Sequence, residues 1–519
     1  MNRRDFCKGI GLGAAAMLLP RGLLSIAGEP AAGGRKPNII FILADDIGYG
    51  DLGCYGATKV KTPNVDRLAR EGIRFTDAHA PAAVCTPTRY AFITGQYAWR
   101  NPAGSRILSG EAPLAIDPAM TTTPSLLKQA GYTTGLVGKW HMGLGKGDLD
   151  FNKEIKPGPQ EVGFDYAFFF PATGDRVPCV YIENRRVVGL DPNDPIKVSY
   201  QAKVGDDPTG KENPELLTMK PSHGHDNTIV NGISRIGWMS GGKAARWNDE
   251  TLADTFTGKA VAFIEQNKGN PFFLYFATHD IHVPRVPSPA RKGKSDCGTR
   301  GDVVQQFDDS VGAVLAALDR LKIADNTLII ISSDNGGVMD DGYADGAIKD
   351  ANGHLCNGPL RGYKGSLWEG GSREPFIARW PGRINAGATS DEMISLVDMM
   401  ATFAAVAGQP LPADAAPDSF NVLPAILAEP HDKPVRDHLV IQTNGTASQA
   451  IRKGPWKLVP GNPGGGYAQA AGKAPAGGQL FNLADDLAET KNVAADHPEI
   501  VKELSDLLAQ IRARGRSRP

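Results

Sequence analysis

Acidic side chains follow two apolar segments of this sequence, and their oxygen atoms are suited to binding a hard metal ion. The segment "KPNIIFILADD" ends in Asp45 and Asp46, and "NTLIIISSDNGG" contains Asp334 and Asn335. Three carboxylates and one amide oxygen suit Ca²⁺ or Mg²⁺. A single such pair is ordinary at a strand end, where Asp and Asn serve as turn and cap residues. Two pairs, beside the motifs described next, favour a metal site.

Basic side chains occur in three further motifs that could bind an anionic group. "GLVGKWHMG" contains Lys139 and His141, which we expect on the same side of a strand end. "THDIHVP" contains His279 and His282, and "LRGYKGSLWEGG" contains Lys364. A lone histidine is more often a hydrogen-bonded structural residue, and a lone lysine is usually solvated. Because the net charge of the chain is only −1, an anionic substrate has to be bound by such local positive charge.

Cys85 lies in the tight sequence "CTPTR", which ends in Arg89. It is a candidate packing residue, thiol nucleophile, metal ligand or precursor of a modified residue. The absence of any CxxC spacing argues against a zinc cluster. Cys7 falls in a predicted export signal, so an odd number of cysteines remains, and we expect Cys85 to be unpaired. The sequence does not determine the pairing of the others, which are Cys54, Cys179, Cys297 and Cys356.

The elements that carry these residues predict an α/β fold. Continuous apolar segments such as "FILA" and "PFFLYFA" are typical of strands buried on both faces of a mainly parallel sheet. Between them, Thr62 and Pro63 begin one predicted helix, and Thr123 and Pro124 begin another, each with threonine as N-cap. In such folds ligands bind beyond the carboxyl ends of the strands, which is where the polar side chains fall.

Three parts of the chain are predicted. Residues 1–35 are an export signal and linker, 36–432 form a large mainly parallel sheet between helices, and 433–519 form a smaller α+β domain. The smaller domain carries an antiparallel sheet, with Asn444-Gly445 as a candidate hairpin turn, and an amphipathic terminal helix. The stretch 147–250 has little regular pattern, so we expect it to build walls or lids around a site.

The N-terminus "MNRRDFCKGIGLGAAAMLLPRG" resembles a bacterial twin-arginine export signal, because it is short, rich in Gly and Ala, and interrupted at Pro20. The alternative is a retained N-terminal anchor. No other segment approaches the roughly 20 apolar residues needed to span a bilayer. We therefore expect an exported protein, periplasmic or secreted, with no stable membrane span. Its charge gives no reason to expect nucleic acid as a partner.

The order of the motifs D-D, C-x-P-x-R, G-K-x-H, H-x-P, D-N-G and a late lysine resembles the sulfatase family of the formylglycine-dependent type, in the alkaline phosphatase superfamily. The resemblance covers roughly residues 37–510. It implies that Cys85 is oxidised to formylglycine (3-oxoalanine), whose hydrate is the nucleophile. Pro87 and Arg89 would be recognised by a formylglycine-generating enzyme, and Arg89 would later hold the hydrate.

The resemblance also implies roles for the other motifs. Ca²⁺, in preference to Mg²⁺, would be held together with residue 85 by the acidic set Asp45, Asp46, Asp334 and Asn335. Sulfate would be contacted by Lys139, His282 and Lys364, and the hydrate by His141. His282 would protonate the leaving alcohol, and His141 would deprotonate the second hydroxyl so that sulfate is expelled.

Two segments, "FPATGDRVPCVYIENRRVVGL" and "PSHGHDNTIVNGISRIGWM", resemble parts of bacterial sulfatases that act on galactose or N-acetylgalactosamine 6-sulfate. The resemblance predicts a sulfated saccharide as substrate, with Thr173, Asp175, Arg176 and His279 as candidate contacts to it. An ordinary structural loop is the alternative for the first three. His223, His225 and Asp226 are expected in a cavity wall or in a structural role.

Other functions stay open at this point. A phosphodiester or phosphonate hydrolase of the same superfamily would also use a metal ion and lysines around a tetrahedral anion. A cysteine hydrolase with an unmodified Cys85 thiolate would leave the acidic residues and the C-x-P-x-R motif unexplained. A catalytically silent glycan-binding protein would carry an unmodified Cys85. The sequence does not indicate the oligomeric state.

Overall fold

The computed structural model describes residues 35–464 and 478–519. Its strands are, in chain order, β1 (Asn38–Ala44), β2 (Ile73–His79), β3 (Thr133–Lys139), β4 (Tyr166–Phe170), β5 (Ile182–Glu183), β6 (Arg186–Val187), β7 (Lys197–Ser199), β8 (Ile229–Val230), β9 (Ile233–Ser234), β10 (Trp238–Ser240), β11 (Phe272–Ala277), β12 (Thr327–Ser333), β13 (Arg373–Arg379), β14 (Ala388–Ser390), β15 (Ile394–Ser395), β16 (His438–Gln442), β17 (Gln449–Lys453), β18 (Trp456–Val459) and β19 (Gln479–Asn482). The predicted export signal lies outside the described residues.

The α-helices are α1 (Pro63–Arg70), α2 (Cys85–Thr94), α3 (Thr123–Gln129), α4 (Pro159–Val162), α5 (Leu252–Asn267), α6 (Gly298–Leu321), α7 (Glu369–Ser372), α8 (Met399–Ala407), α9 (Leu423–Ile426) and α10 (Pro498–Arg514). Helix α1 begins at Pro63 after Thr62, as predicted. The N-cap of α3 is Thr122 and not Thr123, because the Thr122 side chain and Ser125 satisfy each other's backbone N–H groups in a capping box. Thr123 instead donates its hydroxyl proton to the Phe92 carbonyl.

Eleven strands form one sheet, and five of them run parallel through its centre in the order β12-β1-β11-β3-β4. At one side of this parallel group β13 pairs antiparallel with β12, and at the other side β5 pairs antiparallel with β4. The expected α/β fold with a mainly parallel sheet is confirmed. The carboxyl ends of the five central strands therefore lie along one edge of the sheet.

Helices cover both faces of the sheet. This explains why the sequence of β1 does not alternate between apolar and polar residues. Ile39, Phe41 and Leu43 pack into a core with helices α2, α3 and α8. Ile40 and Ile42 pack on the opposite face with helices α1, α5 and α6. Because side chains alternate across a strand, a strand covered on both faces has to be apolar at every position.

The region between β4 and α5 consists of short strands and loops. Among the described residues, strand β7 pairs only with β10, and β8 pairs only with β9. Isolated bridges tie this region together, for example between Arg176 and Ile236. This agrees with the expectation that 147–250 forms irregular walls.

The C-terminal part contains a four-stranded antiparallel sheet in the order β16-β17-β18-β19, with α10 packed on it, as predicted. A buried ion pair between Arg452 and Asp77 links this sheet to β2 of the larger one, and a second, between Lys457 and Glu369, links it to α7. Asn444 and Gly445, the candidate hairpin turn, lie in the loop of residues 443–448 that joins the antiparallel strands β16 and β17. The domain boundary after residue 432 stays a prediction.

None of the described helices is both long and apolar enough to cross a membrane. The five cysteines of the described residues all carry free thiols. Cys85 therefore has no disulfide partner, as expected, and the same holds for the other four.

Candidate active site

The acidic residues of the two separate motifs meet because β1 and β12 are parallel neighbours. Ala44 at the end of β1 lies beside Ser333 at the end of β12. The chain leaves both strands at the same edge of the sheet, so the carboxylates of Asp45, Asp46 and Asp334 each place an oxygen atom within 4.8 Å of the others. The expected cluster is therefore present at the carboxyl ends of the strands.

The acidic cluster has the donor set and the unmet bonding capacity of a cation site. Asp45 Oδ1 and Asn335 Oδ1 are buried and accept no hydrogen bond. Asn335 Nδ2 donates to Asp46 Oδ1 at 2.7 Å, which leaves the amide oxygen without a partner. Buried oxygens without partners are costly, and a hard cation bound by carboxylate and amide oxygens would satisfy them. These residues fit a metal ion.

Three buried cations surround the acidic cluster. Lys139 Nζ lies 2.7 Å from Asp45 Oδ2, and Lys364 Nζ lies 2.9 Å from Asp46 Oδ2. The Arg89 guanidinium donates two hydrogen bonds to Asp334 Oδ2, at 2.7 and 2.9 Å. Each carboxylate of the cluster thus has a cationic group within 3 Å, and this positive charge also makes the site attractive to an anionic substrate.

The pKa values of the carboxyl groups reflect competition between burial and these charges. Burial raises the pKa of Asp45, but Lys139 and His282 outweigh it and hold the pKa well below its usual range. Burial and the charge of Asp45 raise the pKa of Asp334 to about 6. Three carboxylates this close do not all ionise easily. Added positive charge within the cluster would let Asp334 ionise.

Cys85 is the first residue of α2 and is buried, with an exposed fraction of 2%. It lines the cavity described below. Although a helix N-terminus favours a thiolate, burial is the larger effect and raises the pKa of the Cys85 thiol. A neutral thiol is a poor nucleophile, and this disfavours the alternative of an unmodified cysteine hydrolase.

His141 lies just beyond the end of β3, two residues after Lys139. Strand β3 ends at Lys139, and His141 has a left-handed backbone with φ of 55°. Its Nε2 lies 2.9 Å from the Leu108 carbonyl oxygen. A carbonyl only accepts, so Nε2 carries the proton, and the buried Nδ1 has no hydrogen-bond partner. Burial and then the charge of Lys139 lower the pKa of His141 well below its usual value, which leaves a neutral base.

His282 occupies the opposite side of the acidic cluster. Its Nδ1 donates to the Val283 carbonyl at 2.7 Å, so Nε2 is the nitrogen that faces Asp46 at 3.9 Å and Asp341 at 4.0 Å. Burial lowers the pKa of His282 to about 4. His279 packs against His282, with ring centroids 5.3 Å apart. Neither ring nitrogen of His279 has a hydrogen-bond partner, although Nδ1 lies 3.6 Å from Asp45.

Asp341 is the site residue that sequence reasoning missed. Its Oδ2 lies 2.9 Å from Lys364 Nζ, which is thereby held between Asp341 and Asp46. Burial lowers the pKa of Lys364, but the two carboxylates raise it by a larger amount. The pKa of Lys364 is therefore well above its usual range. Asp341 follows no strand directly, and the only signal in the sequence was its position in the acid-rich loop after "DNGG".

A cavity of about 360 Å³ opens above Cys85, His282, Asp341 and Lys364. Its other walls come from Ile107, from Asp175 and Arg176, from residues 223–227, and from Ile236. The irregular region thus supplies most of the other residues that line the cavity. His223, His225 and Asp226 lie in this wall, as the sequence suggested.

Asp175 is the centre of a polar network in the cavity wall. It accepts hydrogen bonds from Thr173, from Arg176 Nη1 at 3.0 Å and from His225 Nε2 at 2.9 Å. Burial raises the pKa of Asp175, but Arg176 and His225 hold it well below its usual range. Thr173 and His279 are buried and do not line the cavity. The structure therefore places Asp175 and Arg176 where a substrate could be bound, and Thr173 and His279 behind that surface.

Comparison with known proteins connects this geometry to a family. A model described as Sulfatase matches residues 37–409. The N-acetylgalactosamine-6-O-sulfatase of Bacteroides thetaiotaomicron is 52% identical over 486 residues, which cover 92% of this chain and 94% of that protein. Human arylsulfatase A is 33% identical over 410 residues, which cover 79% of this chain and 71% of that protein.

Solved structures give the same result. A sulfatase structure from work on the metabolism of multiple glycosaminoglycans by Bacteroides thetaiotaomicron superposes with a TM-score of 0.88 at 50% identity, covering 92% of this chain and 100% of that chain. The crystal structure of Ps i-CgsB in complex with k-i-k-neocarrahexaose superposes with a TM-score of 0.65 at 28% identity, covering 92% of each chain.

Proposed function

This chain belongs to the sulfatase family and is a sulfuric ester hydrolase, and we propose that it removes the 6-sulfate of a galactosamine-type sugar in sulfated glycans. The substrate proposal is supported most strongly by the 52% identity with an N-acetylgalactosamine-6-O-sulfatase along almost the whole chain. A cavity deep enough to enclose one sugar beside the basic residues is consistent with it.

We propose that the basic residues bind the sulfate group of the substrate. Lys364 and His282 line the cavity beside Cys85, Lys139 lies beside Asp45, and the positive charge of the two lysines would offset the charge of the sulfate ester. Asp45, Asp46 and Asp341 hold the two ammonium groups and the Val283 carbonyl holds the imidazole, so these groups are already in position before the substrate binds. The four residues Asp45, Asp46, Asp334 and Asn335 would hold Ca²⁺, together with residue 85. When bound, the ion would polarise the sulfate.

His141 and His282 would move the protons. The Leu108 carbonyl keeps the proton of His141 on Nε2, so Nδ1 is available to accept one. The Val283 carbonyl fixes the His282 ring with Nε2 towards the carboxylates and the cavity, where Nε2 would take up a proton from water when the anionic substrate binds and pass it to the leaving alcohol. Formylglycine, formed from Cys85 by a formylglycine-generating enzyme, supplies the hydrated aldehyde nucleophile that the buried thiol cannot provide. Arg89, paired with Asp334, would hold that group.

A panel of sulfated monosaccharides tests the substrate proposal. We expect the enzyme to release sulfate from N-acetylgalactosamine 6-sulfate or galactose 6-sulfate far faster than from the 4-sulfated galactosamine or from glucosamine 6-sulfate. Sulfate release is measured by ion chromatography. Faster turnover of a phosphodiester or phosphonate would instead support the alternative hydrolase of the same superfamily. Binding of sulfated glycans without turnover, in protein with an unmodified Cys85, would support the silent glycan-binding alternative.

The Asp175 network leads to a prediction about specificity. The residues that bind sulfate contact the same group in every substrate. Discrimination between sugars therefore has to come from the cavity wall that contains Asp175 and Arg176. We expect Asp175→Ala or Arg176→Ala to lower kcat/KM for the natural sugar by about 100-fold or more, because a buried polar contact is lost. The Asp175 carboxylate already accepts hydrogen bonds from Arg176 and His225. Its removal would therefore act largely by leaving these two side chains without the partner that positions them.

A small aryl sulfate provides the comparison substrate, and Asp206→Ala, an exposed acid in the same region, provides the control variant. We expect the aryl sulfate rate to change by less than about 3-fold in all variants, because an aryl sulfate has no hydroxyl groups for this wall to bind. Equal losses on both substrates would mean that Asp175 and Arg176 support the sulfate-binding site and do not recognise the sugar.

We also propose that the protein is exported, to the periplasm or outside the cell, on the basis of its twin-arginine sequence "NRRDF". Replacing Arg3 and Arg4 with lysine in the native host, followed by fractionation, tests this: the variant should accumulate in the cytoplasm as an uncleaved precursor.

A further inference from the structure

The loop that joins β16 to β17, residues 443–448, contacts the segment that holds His141. We propose that this C-terminal loop, through Asn444, positions His141 for catalysis. The inference rests on the proposed function in one respect, namely that His141 acts as the base. Its geometry is independent of which sugar is cleaved.

Three hydrogen bonds fasten segment 105–108 to the end of β16 and the loop that follows. Asn444 Oδ1 accepts from the Ile107 backbone N–H at 3.0 Å. The Gly445 backbone N–H donates to the Ser105 carbonyl at 2.8 Å. Gln442 Nε2 donates to the same carbonyl at 3.2 Å. Gly445 has φ of 102°, a conformation that side-chain-bearing residues rarely adopt, so glycine allows the chain to turn at this point.

Segment 105–108 has little structure of its own to replace these bonds. It belongs to an irregular stretch between the short helix at residues 98–100 and α3. Backbone groups of such a stretch need partners from elsewhere in the molecule. Asn444 is the only side chain described for the Ile107 N–H, and it comes from 337 residues further along the chain.

The same segment carries the carbonyl group that orients His141. Leu108 follows Ile107 directly, and its oxygen accepts the Nε2–H of His141 at 2.9 Å. Thr86 supports this contact from the other side, because its hydroxyl donates to the His141 carbonyl at 3.0 Å and accepts from the Leu108 N–H at 3.4 Å. Only a proton on Nε2 satisfies the Leu108 oxygen, so the carbonyl selects the tautomer that leaves Nδ1 as a base.

The position of His141 depends on these contacts because its backbone has φ of 55°, which is unfavourable for a residue with a side chain. Such a conformation persists only where the surroundings enforce it. Ile107 also lines the cavity. A displacement of segment 105–108 would therefore affect both the tautomer of His141 and one cavity wall. Kinetic measurements distinguish the two effects, because impairment of the base lowers kcat and a change in the wall raises KM.

The test compares Asn444→Ala with Asn444→Asp, which keeps an oxygen acceptor, and with Thr446→Ala, an exposed neighbour in the same loop. We expect Asn444→Ala to lower kcat about 10-fold with KM changed less than about 2-fold, since it impairs the base and not binding. Asn444→Asp should restore most of the loss, and Thr446→Ala should behave as the wild type. Rates are expressed per modified residue 85, measured by peptide mass spectrometry.

A second measurement observes the imidazole directly. Long-range ¹H–¹⁵N correlation spectra of protein labelled with ¹⁵N-histidine, which contains 10 histidines, identify His141 by comparison with His141→Gln. We expect a single Nε2–H tautomer in the wild type and a mixture in Asn444→Ala. An unchanged tautomer, an unchanged kcat, or a rise in KM for the sugar alone would overturn the proposal. If the wild type fails to cleave the proposed sugars, the substrate proposal is wrong. The spectra would still test whether Asn444 sets the tautomer of His141.

Discussion

Cys85→Ala is expected to abolish sulfate release, with a loss on the order of 10³-fold or more, because it removes the residue that would become the nucleophile. The fold should be retained, since Cys85 is the first residue of α2 and alanine is readily accommodated in a helix. Initial rates on the sulfated sugar and on an aryl sulfate measure the loss, and circular dichroism with thermal unfolding checks the fold. Cys54→Ala, which removes a half-buried thiol outside the site, is the matched control and should keep full activity.

The chemical form of residue 85 distinguishes the proposed nucleophile from a thiol. In active protein, the peptide that spans residues 81–89 should be lighter than its cysteine form and should react with aldehyde reagents. Burial raises the pKa of the Cys85 thiol, so a reactive thiolate is not expected at neutral pH. Fully active protein in which residue 85 is an intact cysteine would contradict the formylglycine proposal.

Asp45→Asn and Asp334→Asn are expected to weaken metal binding and to lower turnover by about 100-fold. Each variant removes one negative charge from the cluster but keeps the size of the side chain. The remaining groups then repel a divalent cation more strongly, because Lys139 and Arg89 lose the carboxylates that they pair with. Bound metal is measured by elemental analysis of the purified variants, independently of activity. Asp319→Asn, at an exposed acid far along α6, provides the control.

Chelation gives the complementary test on the wild type. After prolonged dialysis against a strong chelator, activity should fall and should return on addition of Ca²⁺, with Mg²⁺ less effective because it requires near-ideal octahedral geometry and gives up its bound water reluctantly. Retention of both full activity and full metal content by the two variants, together with resistance to chelation, would show that these residues do not hold a metal ion.

Much of the site was predictable because its residues follow regular elements. The apolar segments of β1 and β12 predicted parallel strands, and parallel strands place their carboxyl ends at one edge of the sheet. Asp45 and Asp334 therefore meet, although they are far apart in the chain. The same reasoning applies to Lys139 at the end of β3 and to His282 after β11. These predictions succeeded because strand periodicity and helix capping are local properties of the sequence.

Prediction was less accurate where two local signals competed. Thr122 and Thr123 both precede Pro124, and the N-cap was assigned to the wrong one, because only the position of Ser125 decides which threonine completes the capping box. The left-handed backbone of His141, two residues after the end of β3, has no signal in the sequence. Both positions lie at element ends, where the hydrogen-bond partner of a single residue decides the conformation.

The sequence by itself determined the fold class, the family and the residues that gather at the sheet edge, because these follow from periodicity and motif order. Only the tertiary structure decided how they are held: Asp341 against Lys364, the Leu108 carbonyl against His141, and Asn444 against Ile107. Those contacts join irregular segments through backbone groups or single side chains. Every residue has a backbone carbonyl, and packing against distant residues sets the path of an irregular segment. No local pattern in the sequence therefore distinguishes the carbonyl that orients a histidine from all the others.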